Sequence, residues 1–276
     1  MSSKSEKPLL ILGNGEHQVG AVEPDHIVIT FNGAYGDGRF SRHIEVLNAA
    51  RSPSGEHRLK LITHAKELDS WITELETTLS SSSKSGQEEL GVLPSTGFLI
   101  VHALWNRHTS VDIAGMSFDP SLRRPQSLGN RTPLPQMFHN WLGERRASFD
   151  RWIRSPKRGW SWPLMNSPDA QGSSGPPRDH RELLDALRVA RTTGRMDCLL
   201  GLSKSTISPD EALLKGSSET LELEQYFHLE RGKRETTNWW LYDADGSGVI
   251  DRLANQLRQA QQQAFAKAMS RSPAVG

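Results

Sequence analysis

Cysteine is almost absent: Cys198 is the only one in 276 residues. No intramolecular disulfide can form and no cysteine metal cluster can assemble. A lone thiol suits a reducing cytoplasm. Long apolar runs are missing too. No uncharged apolar stretch approaches the ~18 residues of a membrane-spanning helix. The polar segment Met1 to Lys7 leads straight into a short apolar run, so no secretory signal peptide and a cytoplasmic location are expected. Net charge is nearly nil, 33 Lys and Arg against 32 Asp and Glu, and selects no partner. Hydrophobic residues make up 36% and mean hydropathy is −0.55. Those values predict a core accompanied by much polar, irregular chain, while several dense apolar runs exclude a fully disordered one.

Those runs set the expected architecture. Residues 9–13 (Leu-Leu-Ile-Leu-Gly) and 26–31 (His-Ile-Val-Ile-Thr-Phe) read as buried strands, with Ile44–Leu47 and Leu59–Thr63 as two more. Leu68, Trp71, Ile72, Leu75 and Leu79 fall at helical spacing. Ser80 to Gly86 reads as a flexible connector. Pro94-Ser-Thr-Gly97 opens a helix through Trp105, Ser110–Met116 reads as a strand, and Phe138–Ile153 as a helix. This alternation predicts an α/β fold with a mostly parallel sheet over 1–154. Residues 155–178, rich in Pro, Gly and Ser, are the expected linker, and 179–276 a mainly helical C-terminal region of unknown role.

Charge and aromatics cluster locally. From Trp105 to Trp162 there are ten Arg or Lys against four Asp or Glu, with five of the eight tryptophans. Such a stretch suits a phosphate, a nucleotide or a polyanion, and equally an ordinary basic surface with half-buried Trp anchors.

Four short segments carry candidate chemistry. Gly13-Asn14-Gly15 follows the first strand, where glycines let a ligand approach the backbone; the same tripeptide also makes a plain tight turn. It is neither a G-x-G-x-x-G fingerprint nor a P-loop. Asn32, closing the second strand, offers a donor and an acceptor to a base or ribose edge, while Asn32-Gly33 is also a favoured turn pair. Ser95, Thr96 and Gly97 place two hydroxyls and open N–H groups at a helix start, an anion site or a simple cap. His139 and Glu144 are spaced H-x-x-x-x-E, with Arg145 and Arg146 following. Histidine is the natural base near neutral pH. A five-residue offset on a helix is about 500°, so no direct His–Glu dyad is expected.

In order and spacing, these segments resemble the sialyl motifs of the sialyltransferase family, glycosyltransferase family 29. Leu9–Gly15 through Asp25–Asn32 looks like its long motif, Leu93–Ile100 through Val111–Gly115 like its short motif, and His139–Glu144 like its very short motif. The first 155 residues are covered. The chain is also similar to small bacterial proteins, some labelled accessory proteins of urease operons, that share a His then Glu-Arg-Arg segment.

The resemblance implies a Rossmann-like, GT-A-like variant fold and transfer of a sugar from a nucleotide-sugar donor such as CMP-sialic acid to the hydroxyl of an unidentified acceptor. Transfer would invert the anomeric centre without metal or cofactor. Gly13, Asn14, Gly15 and Asn32 would line the nucleotide site, Ser95, Thr96 and Gly97 would hold the ribose and phosphate, and His139 would be the base, with Glu144 beside it and Arg145 and Arg146 near the phosphate. The chain departs from the pattern. Thr30 stands where the family has arginine, the two linking cysteines are absent, and no second histidine motif is visible. The alternative is a non-catalytic nucleotide- or partner-binding accessory protein. Nucleic-acid binding is the least supported class.

Asp243 to Asp251 follows the first nine places of a calcium loop, with Asp243, Asp245 and Ser247 at ligand places and Gly248 at the sixth. Ala254 occupies the twelfth, where a bidentate Glu belongs. A turn capping the following helix is the expected use of these residues.

Overall fold

The computed structural model describes residues 8–15, 22–33, 39–48, 59–120, 138–166, 176–229 and 238–271. In chain order the elements are β1 (Leu9–Leu12), β2 (Ile27–Phe31), β3 (His43–Asn48), β4 (Leu59–Thr63), α1 (Asp69–Leu90), α2 (Thr96–Leu104), β5 (Val111–Ala114), α3 (Trp141–Arg154), β6 (Trp160–Ser161), α4 (Pro163–Asn166), β7 (Pro177–Arg178), α5 (His180–Thr193), α6 (Asp197–Leu202), β8 (Thr206–Ile207), α7 (Ser218–Gln225) and α8 (Ala244–Arg271). The chain is α/β. It packs as two units, one of Met1–Glu88, Leu93–Ser117 and Lys157–Asn166, the other of Glu89–Val92, Phe118–Pro156 and Ser167–Gly276.

The first unit is built on a mixed six-stranded sheet in the order β4-β3-β2-β1-β5-β6. Four pairings are parallel, and β4 joins β3 antiparallel, Ile44 facing Thr63 and Asn48 facing Leu59. The expectation of a mostly parallel sheet is thus met only in part, because β3 and β4 run in opposite directions. Leu9, Ile11, Leu12, Val28 and Ile29 are buried, as near-continuous apolar strands of a covered parallel sheet require. Helix α2 is apolar all round, with Phe98 to Leu104 buried, so it is a core helix.

Two expectations fail here for identifiable reasons. Ser80–Gly86 is not a connector, since α1 runs through it. The serines turn their hydroxyls back onto the helix, Ser80 to the Glu76 carbonyl and Ser81 to that of Thr78. A Cβ at Gly86 would stand 2.8 Å from Pro94 Cγ, so glycine there gives close packing. Of the expected 155–178 linker, residues 167–175 lie outside the described residues, and 155–166 are more than a linker. Trp160 donates to the His108 carbonyl and Trp162 to that of Met116, drawing β6 onto the sheet edge beside β5. The division expected at this segment is therefore not the one that packing makes.

The second unit is mainly helical. Leu142 of α3 shares one core with Leu183, Leu184 and Leu187 of α5, Leu223 of α7, and Trp240, Ile250, Leu253 and Leu257. Asp179 caps α5 through the Arg181 N–H, and Gly194 closes it in the left-handed conformation, φ +70. The stretch from Asp243 is no calcium loop. Helix α8 begins at Ala244, Asp243 Oδ1 accepts from the Gly246 N–H, and the Ser247 hydroxyl donates to the Asp243 carbonyl. On a helix, Asp245 and Ser247 project in different directions and so do not converge on one point as calcium-loop ligands do. Among the described residues no helix is long and apolar enough to cross a membrane, and no group of three His, Cys, Asp or Glu could hold a metal ion.

Because α3 belongs to the core formed with α5, α7 and α8, those C-terminal helices are not an appendage to it. A chain ending at residue 154 loses β6 from one unit and most of the core from the other. It is expected to lack cooperative thermal unfolding and dispersed amide resonances; a sharp two-state melt would contradict this packing.

Candidate functional site

In the first unit the strand order reverses at β1. The chain passes outward from β1 to β2 and β3, then returns to place β5 on the other side of β1. The crevice outside the carboxyl ends of two such strands is where open α/β sheets take ligands. Gly13-Asn14-Gly15 leaves β1 at this point and Gly115-Met116 leaves β5. The two turns are joined by hydrogen bonds from the Gly13 N–H to the Ala114 carbonyl, 2.8 Å, and from the Gly15 N–H to the Gly115 carbonyl, 3.0 Å. A Cβ on Gly13 would lie 2.2 Å from the Gly115 oxygen, and one on Gly15 2.8 Å. These glycines are needed for the mutual approach of two turns. Gly115 itself sits at φ +66.

Helix α2 presents its N-terminus to the same place. The Cε of Met116 lies 2.7 Å from where a Cβ on Gly97 would be, and its Cγ 2.4 Å from one on Gly13. Met116 is buried and bridges the glycine turn and the helix start. Ser95 caps α2 by accepting from the Phe98 N–H, 3.2 Å, and Ser95 and Thr96 are buried. Gly97, at the second helical position, has an N–H with no acceptor inside the helix. Asn14 is exposed at the tip of its turn. Gly13, Asn14, Gly15, Ser95, Thr96 and Gly97 are thus brought together at one end of the sheet. Asn32 closes β2 on the same edge, exposed, at φ +52, its N–H donating to the Val46 carbonyl. Gly115 and Met116 complete the crevice. Only the position of Gly115, after a strand and at the end of the short motif, marked it in the sequence.

His139 and Glu144 lie in the second unit. His139 is partly exposed just before α3 and meets the Trp141 ring edge-on, centroids 5.2 Å apart. Trp141 stacks on Phe118 at 6.2 Å. Phe118 is buried with φ +47, a left-handed conformation that a bulky side chain adopts only when its surroundings impose it. Glu144 is 0% exposed, so any part it plays runs through its neighbours.

The arginines are not where a phosphate would meet them. Arg146 is enclosed, its Nε donating to Glu224 Oε1 at 2.7 Å and its Nη2 to Oε2 at 3.3 Å. Burial opposes its charge, but the Glu224 carboxylate outweighs this and holds the guanidinium above its ordinary value. Arg145 donates to Gln262 Oε1 at 2.6 Å and to Asp119 at 3.3 Å. Burial pushes it down to about 9, Asp119 pulling upward and Arg258 adding to the fall. The expectation that these two side chains neutralise a donor phosphate is corrected accordingly. Glu224 also receives Asn140 Nδ2 at 2.9 Å. A Cβ on Gly143 would stand 2.6 Å from Glu224 Oε2 and 2.4 Å from Asn140 Nδ2. Asn140, expected inside a helix beginning at Phe138, is instead the cap of α3. Nothing in the sequence marked Glu224.

Removing one partner of a buried ion pair leaves the other uncompensated, at a cost of about 3–5 kcal/mol. Glu224→Ala is expected to lower the unfolding free energy by about that much in a urea titration. The apolar double replacement Arg146→Met with Glu224→Leu should cost far less. Equal losses for the two proteins would contradict the pairing.

The chain matches no protein-family model, no curated protein and no solved structure.

Proposed function

We propose that this chain is a sialyltransferase-like glycosyltransferase of the cytoplasm, taking a CMP-type nucleotide sugar at the crevice between β1 and β5. The observation that carries the reading is that the glycine turn after β1, the turn after β5 and the first turn of α2 meet where the strand order reverses. On this reading the order β3-β2-β1-β5-β6 is a Rossmann-like half-sheet with a GT-A-like variant connection. The donor phosphate lies at the Gly97 N–H and the positive end of α2. The exposed amides of Asn14 and Asn32 read ribose and base. The part of the base, which takes the proton of the acceptor hydroxyl, goes to His139 of the second unit on the motif resemblance alone. The acceptor oxygen then bonds to the anomeric carbon from the face opposite the phosphate. The sugar–phosphate bond breaks, and the nucleoside monophosphate leaves with the electron pair.

A second reading has an observation in its favour. Of the segment 139–146, Glu144, Arg145 and Arg146 are all enclosed, leaving only His139 for chemistry. A protein that binds a nucleotide or another partner without transferring a sugar needs no more than that.

Two measurements test these readings. Calorimetry with CMP, CMP-sialic acid and other nucleotides should give dissociation constants on the order of 1 µM to 1 mM, the usual range for enzyme substrates. Asn32→Ala should weaken binding about tenfold, or about 1.4 kcal/mol. No heat with any nucleotide removes both nucleotide readings. His139→Ala should cut transfer by about 10²–10⁴, the usual contribution of a general base, with nucleotide affinity retained. Unchanged turnover would exclude His139 as the base, and absence of turnover in the wild-type protein selects the binding reading.

A further inference from the structure

We infer that Glu224, acting through Asn140, is a positioning residue for His139; this rests on the reading of His139 as the base. Asn140 directly follows His139 and is buried. Its Oδ1 accepts from the Gly143 N–H at 2.9 Å, which is the whole requirement of a helix cap. Its Nδ2 does something a cap does not need, donating to Glu224 Oε2 at 2.9 Å and to the Leu90 carbonyl at 3.2 Å. Three bonds fix the amide plane, and with it the backbone that carries the histidine. Glu224 is immobilised in turn by Arg146 from the other side. Gly143 and Gly216 leave the room these groups occupy: a Cβ on Gly143 would strike Asn140 and Glu224, and one on Gly216 would lie 3.1 Å from Arg146 Nη1.

The ring has a fixed wall as well. Trp141 meets it edge-on, and Trp141 leans on Phe118, whose left-handed backbone is held by burial. A partly exposed histidine on an unsupported loop samples several rotamers. Here the backbone is tied on one side and the ring packed on the other, the preorganisation a proton acceptor needs. The α7 region thereby acquires a role: it supplies the carboxylate that orients the histidine-bearing turn.

The test uses the full-length protein and two variants. Asn140→Ser keeps a capping hydroxyl but cannot reach Glu224. Arg146→Met with Glu224→Leu keeps the space filled and removes the acceptor, and it carries the test if Asn140→Ser fails to fold. The first readout needs no substrate: the His139 ring Cε1–H resonance, assigned with His139→Gln. The double variant should melt close to the wild-type protein and Asn140→Ser somewhat lower but still cooperatively, and in both the single His139 resonance should broaden or split. With donor and acceptor, kcat should fall about tenfold while KM changes less than about twofold, the pattern of misplaced chemistry rather than lost binding. A ring resonance unchanged in both variants overturns the positioning role, whatever transfer shows. A resonance that changes in a protein whose wild type transfers nothing supports the positional link and removes the transferase reading alone.

Discussion

The carboxylate of Glu224 is out of water, and both of its oxygens are taken. Arg146 engages Oε1 and Oε2, and Asn140 shares Oε2. A buried charge is tolerated only with such matching, and the matching propagates. It demands glycine at 143, where any side chain would enter the space of Oε2. It also demands an amide rather than a hydroxyl at 140, because one group must cap α3 and reach α7 at once. The apolar core that Leu142 shares with Leu183 and Leu223 holds α3 in the helical unit. Hydrophobic contact alone leaves the rotation of a helix about its axis poorly specified, whereas the Arg146–Glu224–Asn140 set has one geometry.

Glycine carries a different constraint in the sheet unit. A Gly-Asn-Gly turn after a buried strand has two explanations, a ligand that must come close or another stretch of chain that already does. At Gly13 the second applies, since the Gly115 carbonyl occupies the place of a side chain and the Gly13 and Gly15 N–H groups are bonded to β5 and its turn. This reassigns the work at the crevice. The polar groups around that turn that are exposed are the side chains of Asn14 and Asn32. Met116, unbranched and polarizable, fills the irregular gap between two side-chain-free positions.

Much of the architecture is legible from periodicity. β1 to β5, α2, α3 and the helical character of 179–276 follow from apolar spacing and helix-start residues, because burial of a stripe or a strand face acts over few residues. What escaped did so for local physical reasons. The serines of α1 are poor helix formers in isolation, and their helix is fixed by Leu79 and Leu90 beneath it. β6 is two residues long, below any detectable period, and is placed by two indole N–H donors in a segment whose prolines suggest a loop. At the candidate site, the turns at 13–15, 32–33 and 95–97 were visible as turns and a cap. That 13–15 and 95–97 share Met116 was not, since it depends on strand order. The link from Asn140 to Glu224 spans 84 residues and leaves no local trace.

The basic stretch shows how far a charge count can mislead when burial is unknown. Its excess suggested a surface for phosphate or polyanion. Among its described residues, Arg145 and Arg146 are inside, Arg107 pairs with Glu74, Arg151 lies 4.0 Å from Glu89, and Arg154 is joined to Asp150 one turn earlier. Lys157 lies over the Trp105 ring. These cations serve internal carboxylates and aromatic faces, and exposed pairs of this kind contribute at most about 1 kcal/mol each. A nucleic-acid reading needs a row of uncommitted cations on one face, and these side chains do not form one. The tryptophans follow the same logic, for Trp105, Trp160 and Trp162 are buried in the sheet unit. Ten cations in sequence thus do not by themselves make a basic face, because their partners are set by the fold.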